Sequence, residues 1–441
     1  MEFPFLKQTS MWRALSSLGR DIYLPQGIFY WSGRAKAEAE INGTTGIAQD
    51  DDGTISHLAI AEEFAGRKIM ERVAKANVFG YAPIEGVMAL RQKWLAKLSR
   101  EHPALAPFAS MPIVTNGITH SIALAGRLFL DKGQIVVTAD KSWENYEHIF
   151  TRVQEAKIET FPLFTGDSKF NIEALISKCR EVATKQNKVI LLLNFPHNQT
   201  GFMPTSEEFK ALGAQIQNLC KEMPEVSFVV LLDDAYEGYI YDGKAQRVSP
   251  ASDIFANLPN LTVVKMDGIS KVLLAYGYRV GFLTFYVNSL DGQPFSEDDL
   301  KGVRGEISNK VGAFIRGEIS QVNHHGQILA DALLDNYSEV EVERAKIIRR
   351  LQERWEIFMK SFNENYKKYG RDRIFMDPCN GGFFCYINLA AGIDPKNIAE
   401  RLIKEKKVGV VPSGQGMRVA FCGVPKEKIP RMVDAIFETV C

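Results

Sequence analysis

Lys271, Asp233, Tyr236, Asn198 and Arg279 are side chains that do chemistry, and each follows closely on a short apolar run. A lysine amine can form a Schiff base with an aldehyde. A carboxylate can hold a pyridine nitrogen protonated, which makes the ring an electron sink for a carbanion. A tyrosine hydroxyl and an asparagine amide can both hydrogen-bond a phenolate oxygen. Arg279, eight residues after Lys271, can grip a phosphate bidentately. Thr115-Asn116-Gly117-Ile118-Thr119 opens an apolar helical stretch, and free N–H groups at a helix start suit the same anion. Trp143 can stack on a flat ring. Together they describe a site for an anionic aromatic aldehyde. Singly, each is weak. Lys271 could be a solvated surface residue, Tyr236 and Trp143 core aromatics, and Gly117 a simple turn. Asp234 stands beside Asp233 and could be the strand-end cap or the inward carboxylate.

The elements that must carry these groups are legible as runs. Ile135–Ala139, Val189–Phe195, Phe228–Leu232 and Leu261–Met266 are short, continuously apolar and rich in Val, Ile and Leu, as strands buried on both faces should be. Helical patterns separate them. Thr205 with Glu208 three residues on forms a capping box before Phe209-Lys210-Ala211-Leu212. Such alternation predicts an α/β fold with a parallel sheet between helices, whose ligand crevice lies beyond the carboxyl ends of the strands. The chemistry-bearing residues fall at those ends. The last third reads differently. A charged helix over Tyr337–Tyr369, stopped by Gly370, precedes a strand at Phe383–Leu389, a helix near Lys396–Lys406 and a strand around Met417–Phe421. This predicts a smaller α+β unit.

Composition narrows the class. The 441 residues include 53 basic and 53 acidic side chains, so the formal net charge is zero. A neutral chain offers no long-range pull on a phosphate backbone or an anionic membrane, which argues against nucleic acid and membrane as partners. The longest apolar runs fall far short of a membrane span, and MEFPFLKQTS lacks the pattern of a secretory signal. Six cysteines lie scattered without a C-x-x-C pair and read as reduced cytoplasmic thiols. The adjacent His324-His325 pair lacks metal-ligand spacing, so no metal is expected. Neither G-x-G-x-x-G after a strand nor a phosphate-loop lysine occurs, which disfavours dinucleotides and ATP.

The ordered series resembles the pyridoxal-phosphate-dependent aminotransferases of fold type I, classes I and II, and most of all their aspartate and aromatic branch. The resemblance runs from about Phe79 to the C-terminus. It implies a large domain over 61–335 with a mainly parallel seven-stranded sheet, and a smaller one built from an N-terminal arm, 1–60, and residues 336–441. By this resemblance Lys271 of S-K is the Schiff-base lysine, Asp233 of D-x-A-Y the pyridine-nitrogen aspartate, and Tyr236 and Asn198 (in N-Q-T-G) the phenolate-side pair. Arg279 of R-V-G, Gly117, Ile118, Thr119 and Ser270 hold the phosphate, and Trp143 stacks on the ring. Tyr81 of Y-A-P-I-E-G reaches a phosphate across the interface of a homodimer with shared sites. Arg418 of R-V-A-F-C-G binds the substrate α-carboxylate, with Asn198 and Trp143 beside it, and Arg316 of I-R-G-E-I-S pairs with a distal carboxylate. The sequence departs from the pattern at Gln199, where relatives have proline, at Gly268, where many have serine, and at Tyr146, where close aspartate aminotransferases carry a histidine behind the aspartate. The implied reaction is ping-pong transfer of an amino group from an aspartate or aromatic L-amino acid to a 2-oxo acid such as 2-oxoglutarate. Two other readings compete: a lyase on the same scaffold, of C–S β-lyase or cyclopropane-forming type, and a regulator without turnover. The first sixty residues are too short and too little basic for the DNA-binding domain a regulator would carry.

Overall fold

The computed structural model describes residues 4, 6–8, 10–23, 27–66, 80–289 and 295–441. Phe79, where the family resemblance begins, and residues 1–3, 5 and 9 of the segment read for a leader lie outside them. Thirteen strands among the described residues form three sheets: β1 (Ile41–Asn42), β2 (Ile113–Thr115), β3 (Ile135–Ala139), β4 (Lys157–Phe161), β5 (Lys188–Asn194), β6 (Ser227–Asp233), β7 (Leu261–Gly268), β8 (Gly281–Tyr286), β9 (Ile374–Met376), β10 (Phe384–Leu389), β11 (Val408–Gly409), β12 (Val411–Ser413) and β13 (Gly416–Ala420).

The main sheet has seven strands in the order β2-β8-β7-β6-β5-β3-β4. Pairs β3–β4, β3–β5, β5–β6 and β6–β7 are parallel, and β8 runs against both of its neighbours. Period-two alternation explains why the central runs are apolar throughout. In β5 and β6, Ile190, Leu192, Val229 and Leu231 pack into one buried cluster. Val189, Leu191, Leu193, Phe228, Val230 and Leu232 pack into the other. Removing one such side chain leaves a cavity that costs roughly 2–5 kcal/mol. The expected capping box is present: Thr205 N donates to Glu208 Oε2 (2.8 Å) and Glu208 N to Thr205 Oγ1 (3.2 Å) at the start of helix Ser206–Glu222.

The last third builds an antiparallel sheet, β12-β13-β10-β9. It lies with helix Tyr337–Tyr369, which Gly370 ends at φ +79°, and helix Ile429–Val440. The anticipated helix near Lys396–Lys406 is Pro395–Arg401 followed by a wider π turn, Leu402–Lys406. Strand β1 pairs in parallel with β11, Ile41 opposite Val408, and Ala420 N donates to Gly43 O (2.7 Å). The segment near residue 42 is thereby stitched to the C-terminal third. No helix among the described residues is long and apolar enough to cross a membrane.

Candidate active site

Three adjacent strands end in the residues that build the site. Asn194 closes β5: its amide donates to Asp233 O (2.8 Å) and accepts from Asn198 N (2.7 Å), which folds the following loop back over the sheet edge. Gly201 completes that loop at φ +70°, and a Cβ there would sit 2.2 Å from Phe384 O, so only glycine fits. The loop hands Asn198 to two partners. Its Nδ2 donates to Tyr236 Oη (3.2 Å), and its Oδ1 accepts from Arg418 Nη1 (3.2 Å).

Asp233 is the last residue of β6 and is buried. Its Oδ2 accepts from the Tyr146 hydroxyl (2.5 Å) and its Oδ1 from Ala235 N (3.2 Å). Burial raises its pKa, against the Tyr146 hydrogen bond and the charge of Lys271. Lys271, half-buried on the turn after β7, has its Nζ 5.1 Å from the centre of the Tyr236 ring. Burial lowers the pKa of this amine, the charges of Arg279 and Arg418 act the same way, and Asp233 opposes them. Its turn is fixed from below, where Tyr239 Oη donates to Lys271 O (2.6 Å). Arg418, on β13, is 2% exposed. It lies 4.2 Å over the Phe384 ring, and its Nη2 donates to Thr44 O (3.2 Å). Its Nε has no hydrogen-bond partner among the described residues. None of Lys271, Asp233 and Arg418 forms an ion pair among the described residues.

The anion cradle is built by close approach. Gly117, at φ +80°, precedes helix Ile118–Phe129, whose first turn has no side-chain cap. A Cβ on Gly117 would lie 2.4 Å from Arg279 Nη2, so the absent side chain is what lets the guanidinium reach the helix start. Arg279 itself holds φ +54°, sparsely populated for a residue with a side chain. Ser270 is buried next to Lys271. The donor set and the space at Gly117 fit a phosphate. Asp233 and Lys271 fit a ring nitrogen and an aldehyde. Thr119 and Trp143 line a cavity of about 360 Å³ together with Ile28 and Phe29.

Two anticipated residues stand apart from this cluster. Tyr81 is 89% exposed. Arg316 is exposed at the end of its helix, where its Nη1 donates to Ser320 Oγ (2.8 Å). Thr44 is not legible in the sequence as a site residue. Thr44 meets Arg418 across 374 positions of chain, and no local pattern announces such a contact. Among the described residues no cluster of His, Cys, Asp and Glu is arranged to hold a metal ion.

A lysine, an aspartate and an arginine thus gather at the carboxyl edge of a seven-stranded, mainly parallel sheet. The family model for aminotransferase class I and II matches residues 46–436, and the chain belongs to that family. It is 24% identical to the mitochondrial aspartate aminotransferase of Dictyostelium discoideum, over 98% of this chain and 94% of that one. It is 22% identical to aromatic-amino-acid aminotransferase 2 of Thermococcus litoralis, over 90% and 94% of the two chains. The crystal structure of an aminotransferase from Anaerococcus prevotii superposes with a TM-score of 0.81 at 26% identity, covering 97% of this chain and 99% of that one. The family is pyridoxal-phosphate-dependent and its reaction is transamination; the lyase alternative is not favoured.

Proposed function

We propose that the chain binds pyridoxal 5'-phosphate at this edge and moves an amino group from aspartate or an aromatic L-amino acid to a 2-oxo acid, with 2-oxoglutarate the expected acceptor, by a ping-pong cycle. The observation that carries the reading is the trio Lys271, Asp233 and Arg418, three converging ionisable groups without ion-pair partners among the described residues. Leaving such groups unneutralised costs stability, and sites that do so are characteristically functional. Bound here, the cofactor supplies an aldehyde for the amine and a cationic ring that withdraws electrons.

The chain's own residues do the rest. Arg279, Ser270, and the N–H groups of Ile118 and Thr119 beside Gly117 hold the phosphate. Trp143 covers one ring face, and Asn198 with Tyr236 takes the phenolate oxygen. Asp233 keeps a proton on the ring nitrogen. The Nε of Arg418, which has no hydrogen-bond partner among the described residues, takes the substrate α-carboxylate, with Asn198 and Trp143 alongside. Lys271 Nζ, biased toward the neutral amine by its surroundings, removes the proton from the substrate α-carbon and delivers it to the carbon that was the cofactor's aldehyde.

We infer further that the active form is a homodimer. The exposure of Tyr81 supports its donation to a partner's phosphate, and that of Arg316 its reach toward a distal carboxylate in the partner's site. The β1–β11 pairing supports a small domain formed by residues 1–60 with 336–441, beside a large domain over 61–335. Six free thiols support a reducing, cytoplasmic location.

A donor screen against 2-oxoglutarate tests the reading. Glutamate should form with aspartate or an aromatic donor. Arg316→Leu should lower kcat/KM for dicarboxylates by about a hundredfold, the scale of stranding a charge unpaired, and spare aromatic donors. Equal losses for both classes, or none, would remove Arg316 from the specificity site.

A further inference from the structure

We infer that Tyr146 is the positioning residue of this site: its hydroxyl holds Asp233 as the weaker base, so that the proton shared with the cofactor ring stays on the ring nitrogen. The inference rests on the reading above, in which Asp233 faces that nitrogen and Lys271 carries the cofactor.

The geometry is specific. Tyr146 is 1% exposed. A turn closed by Tyr146 N to Trp143 O (2.9 Å) places it one helical step beyond the stacking tryptophan. Its ring stands edge-on to Trp143 (5.5 Å, 85°) and against Phe150 (6.3 Å). The hydroxyl is thus aimed by packing rather than free to rotate, and it meets Asp233 Oδ2 at 2.5 Å, a charge-assisted length. The groups that face Asp233 are this hydroxyl, Ala235 N–H and the Lys271 amine. Those that face Tyr146 are Asp233 and Tyr236.

The chemistry follows from the type of donor. Burial and the adjacent carboxylate push the Tyr146 phenol well above its ordinary value, so it remains a neutral donor throughout the working pH range. A neutral donor cannot discharge Asp233 as an ammonium would. It stabilises the carboxylate against the burial that favours its protonation. Two demands on Asp233 are then met together: it stays ionised, and it stays a poorer proton acceptor than the ring nitrogen beside it. An electron sink needs that proton on the ring.

Tyr146→Phe removes the hydroxyl and keeps the ring that packs on Trp143 and Phe150. In the holoenzyme, the pH midpoint of the visible absorbance of lysine-bound cofactor should rise by about one pH unit. Over the same change kcat should fall by about tenfold, the scale of one hydrogen bond to a charged group, with KM nearly unchanged. The thermal midpoint should move little. Fluorotyrosine at position 146, a stronger donor, should move the absorbance midpoint the opposite way. A wild-type absorbance midpoint in both variants, or a loss confined to stability, would overturn the inference. A wild-type protein with no lysine-bound chromophore would overturn the cofactor reading, and the inference with it.

Discussion

Asp233 and Asp234 are consecutive, equally buried carboxylates at the end of one strand, and the fold treats them oppositely. Asp234 turns to the face where Lys265, fully buried, gathers three acids: Asp234 at 2.6 Å, Glu237 at 2.9 Å and Asp267 at 3.7 Å. Ser249 N and Trp94 Nε1 satisfy the outer oxygens of Glu237 (2.8 Å) and Asp267 (3.0 Å). Burial pushes Glu237 up, but Lys265 and Lys97 overcome it and hold the group down to about 2. Burial wins at Asp267, which rises to about 6. Asp233 turns the other way and meets two neutral donors and a lysine it does not pair with. Both faces bury charge. One neutralises it internally, which fixes the strands, and on the other Asp233 stands without an ion pair among the described residues.

Replacing Lys271 breaks the open side most completely. Lys271→Ala should abolish borohydride-trappable cofactor and lower turnover by at least about 10³-fold, the span of a lost general base, while the circular dichroism spectrum remains native. A trappable adduct in that variant would reject the assignment.

The paired substitution sharpens the comparison itself. Asp233→Asn should cost about 10²-fold or more in kcat with little loss of stability. Asp234→Asn should strand part of the Lys265 cluster and lower unfolding stability by roughly 3–5 kcal/mol, with a smaller effect on the remaining activity. Urea midpoints and kcat for the two variants decide it. The reverse pattern would mean that Asp234 is the inward carboxylate.

A smaller effect appears on both sides as pH falls. Burial lowers His102, near Lys265, to about 4, and His197, on the Asn198 loop, to about 3. Both values lie below that of the unfolded imidazole, so the native state binds fewer protons than the unfolded one. The stability they allow is present above about pH 6.5 and is lost as pH falls toward the folded values. Between pH 7 and 5 each should cost up to about 2 kcal/mol, and His102→Gln should flatten its share of that slope in urea melts. A wild-type slope in that variant would mean His102 protonates without unfolding.

How much of this could be read from sequence depended on the range of the interactions. Strands β3, β5, β6 and β7 were legible because burial on both faces demands unbroken apolar runs. Strand β4, Lys-Ile-Glu-Thr-Phe at the sheet edge, carries no such run, and β2 spans only three residues, so neither announced itself. Lys271, Asp233 and Asn198 were legible because each lies just beyond a legible strand. The hydrogen bond from Tyr146 to Asp233 joins positions 87 residues apart, and sequence marked Tyr146 only as a departure from the family pattern. Thr44 left no trace, because its part in the site is a backbone carbonyl that any residue type could supply.

A single half-reaction tests most directly whether Lys271, Asp233 and Arg418 at this edge serve amino-group transfer. Holoenzyme mixed with a productive amino acid and no 2-oxo acid should lose its aldehyde-type absorbance, accumulate the amine form of the cofactor and release one equivalent of 2-oxo acid per site. Persistence or recovery of the aldehyde form, with repeated release of ammonia or an eliminated product, would contradict the account.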